Sequence, residues 1–266
     1  MFLFSKKDRI LLKELVKTDF KLRYQGSLIG HLWSILKPIM LFSVMYLVFI
    51  HFLRLGQDIP HFAVALLLGM IMWNFFQETT SMGLTSIVAR GDLLRKLDFP
   101  KEIVVISVSI NAMINFLINL LVVIAFALIN GVNISLFALL TPLLFIELYV
   151  FSLGVAFLLA TLFVRFRDIS PIWEVVMQAG MYATPIIYPI TMVINTSPTI
   201  AKLLMMNPLA QTIQDARHLL ISNQNIVVSQ MVSTKFVWIP YCIPFVVLLI
   251  GYSVFKHSSK KFAEIL

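Results

Sequence analysis

From Ile103 to Ile146 the chain runs for forty-four residues without an Asp, Glu, Lys or Arg. A bilayer core about 30 Å thick is crossed by about 20 apolar residues at ~1.5 Å each, so this run is too long for one crossing. Asn130-Gly131-Val132-Asn133 interrupts it with turn chemistry, which predicts a hairpin of two spans. Its second arm continues past Glu147 to about Val164. Four more uncharged stretches join it: Pro38–Leu53 (extending back past Lys37 to Trp33), Ile59–Gln77, Val175–Ala201 and Phe236–Phe255. The expectation is an all-α integral membrane protein with six spans. Composition agrees: 59% of residues are hydrophobic and 13% charged, against roughly a quarter charged in an ordinary soluble domain. A mean hydropathy of +0.92 speaks against a soluble enzyme, a disordered chain or a nucleic-acid partner.

The net charge of +8 becomes informative once the 21 Lys and Arg are assigned to sides. With both termini inside, the cytoplasmic segments are 1–32 with Lys37, about 87–102, 165–171 and 256–266. They hold seventeen of these cations, leaving Arg54, Lys202, Arg217 and Lys235 outside. This is a strong positive-inside bias, and an odd number of spans would scramble it. The basic N-terminus lacks the short apolar core and cleavage site of a signal peptide. No internal repeat stands out, so an inverted-repeat carrier has no support.

Three segments outside the spans carry pattern. In 6–24, Arg9, Lys13, Lys17 and Lys21 follow at steps of four, with Leu11, Leu12, Leu15 and Val16 on the other side. That predicts an amphipathic helix in the membrane interface, although Asp19 falls on its apolar side. In 90–102, Leu93, Leu94, Leu97 and Phe99 punctuate a short charged segment, suited either to docking in a partner's groove or to resting on the membrane. In 183–235, Thr184-Pro185-Ile186-Ile187-Tyr188-Pro189 breaks a helix, since proline removes a backbone donor and crowds the preceding turn. Irregular backbone at membrane depth needs protein or a wet cavity beside it, so external re-entrant helices between spans 5 and 6 are expected here, followed by an interfacial run over Leu209–Ile221.

Glu147 is the deepest carboxylate. Buried acids are functional candidates because they are costly, and the pattern admits a proton site, a contact between protomers or a protonated passenger. Glu78 and Glu174 fall near span ends. Trp33, Tyr46, Trp73, Tyr182 and Tyr188 are candidates to line a channel or gate, while an interfacial aromatic belt explains most such residues. The sequence holds no G-x-x-x-x-G-K-[ST] phosphate loop, no H-E-x-x-H and no Cys/His ligand set, Cys242 being the one cysteine. No metal site, cofactor or catalytic residue is therefore expected in this chain.

Five motifs in order resemble the permease subunits of type-2 ABC exporters for lipid-linked polysaccharide, the O-antigen and teichoic-acid group. The first runs from Tyr24 to Pro38 (Y-Q-G-S-L-I-G-H-L-W-S-I-L-K-P), similar to the family's R-Y-x-x-S-x-L-G-x-L-W-x-x-x-x-P. The second, Arg90 to Lys101, is similar to N-x-x-L-[IV]-x-K-x-x-F-P. Arg165-Phe166-Arg167-Asp168-Ile169, Thr184–Pro189 and Asn207-Pro208-Leu209 complete the set.

The resemblance implies a homodimer in the cytoplasmic membrane of a bacterium, resting on two copies of a separate ABC ATPase that holds the ATP and Mg. The domains follow: a cytoplasmic interfacial helix in 1–32, a transmembrane domain in 33–256 and a cytoplasmic tail in 257–266. Coupling to the ATPase is expected from Leu93, Leu94, Arg95, Lys96, Phe99 and Pro100, with Arg167 and Asp168 as a smaller contact. The cargo implied is an undecaprenyl-diphosphate-linked glycan, whose headgroup would meet Lys21, Arg23, Lys37 or Arg95. The rivals are an ABC exporter of a drug or small lipid, and an ion-coupled secondary carrier using Glu147.

Overall fold

The computed structural model describes residues 5–23, 25–27, 29–133 and 135–265, the side chains of His31 and Ala263 excepted; Tyr24 and Leu28 of the first motif lie outside them. Among the described residues every regular element is a helix. α1 (Lys6–Leu22) opens on a capping box in which Ser5 and Asp8 satisfy each other's backbone N–H. Gly30, at a φ of +56°, shapes the turn into α2 (Trp33–Met45), which continues as a π-helix over Tyr46–Phe52. α3 (Phe62–Ala89), the short α4 (Gly91–Lys96), α5 (Glu102–Ile129) and α6 (Thr141–Arg165) follow. After α7 (Ile169–Ala183) come α8 (Ile190–Thr196), α9 (Pro198–Met205), α10 (Pro208–Leu220), α11 (Val228–Met231), α12 (Trp238–Ser258) and α13 (Phe262–Ile265).

Among the described residues, five helical stretches are long and apolar enough to cross a membrane: Trp33–Phe52, Phe62–Ala89, Glu102–Ile129, Leu136–Arg165 and Trp238–Lys261. The stretch expected to supply a further span, 175–201, is divided. α7 begins earlier, at Ile169, and its 15 residues cover only about 22 Å. Thr184 (ψ 138°) and Pro189 (ψ 143°) are extended, because a residue before proline avoids the helical region and proline lacks the donor to continue a helix.

α3 is the central helix, buried along most of its length between α5 and α6. One apolar cluster gathers Phe62–Phe76 of α3 with Phe116, Phe145, Met177 and Ile213. The other joins Ile87, Leu94, Phe99, Ile103, Phe157, Phe255 and Phe262 at the end carrying α1, α4 and α13, called here the basic end. Leu11, Leu12 and Leu15 pack α1 onto this second cluster.

Small residues set the tightest crossings, as expected where lipid supplies no hydrophobic drive between helices. A Cβ on Gly83 would lie 2.6 Å from Ala156 Cβ, and one on Gly154 would lie 2.6 Å from the Leu248 amide nitrogen. A Cβ on Gly251 would collide with the Gly154 carbonyl. Gly251→Ala and Gly154→Ala are therefore each expected to destabilise the protein by about 1–3 kcal/mol through overpacking. Size-exclusion recovery after graded heating checks this; melting curves that overlay the wild type would remove the claim that α6 and α12 are in backbone contact.

Candidate functional site

Where α1 ends against α3 and α5, an open pocket of about 400 Å³ is lined by Asp19, Arg23, Met82, Ser86, Arg90 and Val108 among others. Its two arginines sit at helix C-caps, Arg23 on α1 and Arg90 on α3, where the helix dipole favours a cation. Each is held by a carboxylate from another element. Arg23 pairs with Glu78 and sits 3.0 Å from Met82 Sδ. Arg90 pairs with Asp19 and donates through Nη1 to Ser107 Oγ at 2.9 Å. The four side chains retain 17–27% exposure, so these pairs are strong enough to organise the pocket yet still reachable by a solute.

From this pocket a polar seam climbs between α3 and α5. Ser107, Asn111, Asn115 and Asn119 recur every fourth residue on α5, all buried, and span about 18 Å along the helix. Asn115 Nδ2 donates to Glu78 Oε1 at 3.0 Å, and Asn119 Nδ2 to the Asn115 carbonyl at 2.9 Å. A cavity of about 20 Å³ lined by Pro38, Asn74, Glu78, Asn115 and Asn119 continues the seam; that is room for one water.

The structure gathers only part of the expected headgroup set. Arg23 lies in the pocket, and the Lys37 charge acts on Glu78 from α2. Lys21 and Arg95 are exposed and line no part of it. Arg90, Asp19 and Glu78 were not anticipated there. The one sequence signal for them was Asp19 on the apolar side of α1, which is the side that faces Arg90.

On the segment expected to couple to an ATPase, Leu94 and Phe99 are 3% and 8% exposed, inside this chain's own core with Phe255 and Phe262, and Leu93 packs on the same cluster. Pro100 is half-buried. The outward face is Arg95, Lys96, Leu97 and Asp98. Arg167 and Asp168 are exposed, Arg167 lying 5.0 Å from the centre of the Phe163 ring. Of the expected channel aromatics, Trp33, Tyr46 and Tyr182 are exposed, and Tyr188 donates to the Tyr182 carbonyl at 3.0 Å. Trp73, 2% exposed, is core: it packs on Phe76 and against Gly180 of α7.

The opposite end is built around α10. Arg217 is 1% exposed, and its guanidinium donates to the carbonyls of Ala65 (2.9 Å), Pro185 (2.8 Å) and Ile186 (2.8 Å) and to Gln214 Oε1 (3.2 Å). A Cβ on Gly69 would come within 2.6 Å of Arg217 Nη2, so that glycine makes the approach to α3 possible. Nearby, Asp215 Oδ2 accepts from Tyr241 of α12 (2.6 Å) and Gln211 (2.9 Å), and the buried Glu147 of α6 lies beside this pair. Burial raises the Asp215 carboxyl above its ordinary range against the opposing pull of those bonds. Glu147 therefore belongs to a polar knot tying α6, α10 and α12, remote from the arginine pocket in sequence and in lining residues.

Two outcomes follow. Asp19→Ala leaves a part-buried Arg90 without its carboxylate, an expected loss of about 1–3 kcal/mol, read as a lower melting point and faster proteolysis within α1; the exchange Asp19→Arg with Arg90→Asp should recover most of it. Arg217→Lys keeps the charge but replaces a fork reaching three carbonyls with one nitrogen, and is expected to cost about 2–5 kcal/mol. Retention of wild-type stability by Arg217→Lys would refute the role of the fork.

The model of the ABC-2 type transporter family matches residues 10–221. Among curated relatives, an O-antigen export system permease protein RfbA of Klebsiella pneumoniae is 28% identical over 257 residues, covering 96% of this chain and 95% of its own. A second RfbA from that organism is 27% identical over the same shares. The RfbA of Myxococcus xanthus is 30% identical over 201 residues, 76% of each chain.

Proposed function

Given that the chain belongs to the ABC-2 type transporter family, we propose that it is the permease subunit of an ATP-driven exporter for a cell-surface polysaccharide carried on a lipid diphosphate. The arginine pocket at the foot of a polar seam is the observation that carries this reading. A diphosphate cannot enter hydrocarbon without compensation for its lost hydration. Arg23 and Arg90 offer two guanidinium forks, each able to grip phosphate oxygens in bidentate fashion. In the resting arrangement Glu78 and Asp19 occupy those forks. An arriving diphosphate takes their place, with Lys37 on the seam side, and the sugar chain follows past the asparagines of α5. Lys21 and Arg95 raise the local potential without touching the headgroup.

The basic end faces the cytoplasm and both termini lie there, because seventeen of the 21 cations sit on that side. The membrane is the bacterial inner membrane. Residues 1–32 form an interfacial segment, 33–256 the transmembrane domain and 257–266 a tail. α7 provides a sixth, shortened crossing, and α8 and α9 fold back on the external side, closing the path within 183–235. The subunit works as a homodimer on two copies of a partner ATPase that binds ATP and Mg. Leu94 and Phe99 act from inside, holding the coupling segment on the permease core, and Arg95, Lys96, Leu97, Arg167 and Asp168 meet the ATPase. The relatives named for O-antigen export favour a glycan over a drug or small lipid, and the family favours an ATPase partner over an ion-coupled carrier.

Charge reversal separates direct from long-range effects. Arg23→Glu and Arg90→Glu each remove a charge-assisted contact of about 1.5–3 kcal/mol, a roughly ten- to hundredfold loss of export. Lys21→Glu should lose only a few-fold. Export is measured as surface glycan in cells whose purified complex still contains the ATPase. Equal losses from all three would place the headgroup elsewhere.

A further inference from the structure

A second groove lies on the next face of α1, sharing no lining residue with the arginine pocket. It is open, about 490 Å³ in volume, and runs between α1 and α5. Its floor is apolar: Leu12, Val16 and Phe20 from α1, with Ile110 and Ile114, one turn apart, from α5. Its rim is Arg9, Lys13 and Lys17, again at steps of four and all exposed. The ion pairs among the described residues involve Arg23, Arg90 and Lys256, not these three. The helix thus carries two adjacent stripes, each about two and a half turns long, one cationic and one apolar, and α5 completes the apolar one.

We propose that this groove is a binding site for an anionic diacyl phospholipid of the surrounding bilayer, its phosphate on Arg9, Lys13 and Lys17 and one acyl chain along Ile110 and Ile114. The complementarity is twofold. A row of cations beside an anionic leaflet gains roughly fivefold in affinity for each Lys or Arg, and an acyl chain removes the isoleucine and leucine faces from water at the headgroup level. A soluble phosphate or nucleotide would use the rim but not the floor; a neutral lipid would use the floor but not the rim. The site has a consequence for its neighbour. α1 contributes Asp19 and Arg23 to the arginine pocket, so a lipid that clamps α1 onto α5 also fixes one wall of that pocket. The inference holds whatever cargo the transporter carries.

The test uses the full-length protein with its ATPase, reconstituted in phosphatidylcholine vesicles with and without phosphatidylglycerol, and follows amide hydrogen exchange in α1. Phosphatidylglycerol is expected to slow exchange across 9–20 by at least about tenfold in the wild type, and native mass spectrometry should show a retained phosphatidylglycerol. The triple variant Arg9→Gln, Lys13→Gln, Lys17→Gln should lose both effects while keeping its melting temperature in pure phosphatidylcholine. Ile110→Trp, which fills the groove and leaves the charge alone, should lose the retained lipid and the slowing. Survival of the slowing in Ile110→Trp would mean general attraction to a charged surface and would overturn the site. So would recovery of a polyprenyl diphosphate, rather than a diacyl lipid, from the groove of protein purified from native membranes.

Discussion

Where a helix stops inside a membrane protein, the irregular backbone that follows carries carbonyls with no amide to meet them, and one guanidinium takes up two of them here. Pro185 ends α7, leaving Thr184 extended, and Pro189 is the extended residue that precedes α8. Pro185 and Ile186 then present carbonyls that Arg217 takes up, together with that of Ala65 one helix away. A buried charge is costly unless its donors are used, and four of its contacts are to oxygen atoms already committed to the protein interior. The break, the top of α3 and α10 are thereby one unit. Without it, the turn over 184–189 would have to find water or unfold.

The two ends of the bundle use the same residue type for opposite ends. Arg217 is sealed, with partners that are backbone and cannot leave. Arg23 and Arg90 are part-exposed, and their partners are side chains on separate helices. Exposure decides which arrangement can change. An ion pair that water can reach exchanges partners at modest cost, whereas opening a fully buried fork strands a charge. The molecule is accordingly fixed around α10 and exchangeable around α1.

Much of this was legible from the residues. Uncharged runs located the five long helices, because only hydrocarbon or a helix-lined interior tolerates them, and the prolines located the break. What periodicity cannot supply is a partner. Arg217 counted as one more external cation, since charge bookkeeping assigns a side and not a depth. Trp73 looked like a channel aromatic because it stands near a cluster of rings, yet Gly180 on α7 opens a slot that buries it. Leu94 and Phe99 read as docking residues, but the tail brings Phe262 against them, a contact between positions far apart in sequence. Asp19 was the residue that broke the pattern of α1, and it proved to be the one that ties α1 to the bundle. An out-of-place charge on an apolar stripe was a better guide to the pocket than the stripe itself.

α12 runs from one end of the bundle to the other. At its lower end Phe255 meets Phe262 and Lys256 reaches Glu102, the first residue of α5, at 2.8 Å. At its upper end Tyr241 holds Asp215 of α10. Between them, Gly251 and Gly154 bring its backbone onto that of α6. A rod of 21 residues, about 32 Å long, welded near its middle, behaves as a lever with a fulcrum. Pro244 lies between the weld and Tyr241 and removes one rung of the helix ladder, which makes it a flexure in the upper arm. Leverage of that form gives α10 a mechanical connection to the segment beside α4 that needs no side chain to change its partner.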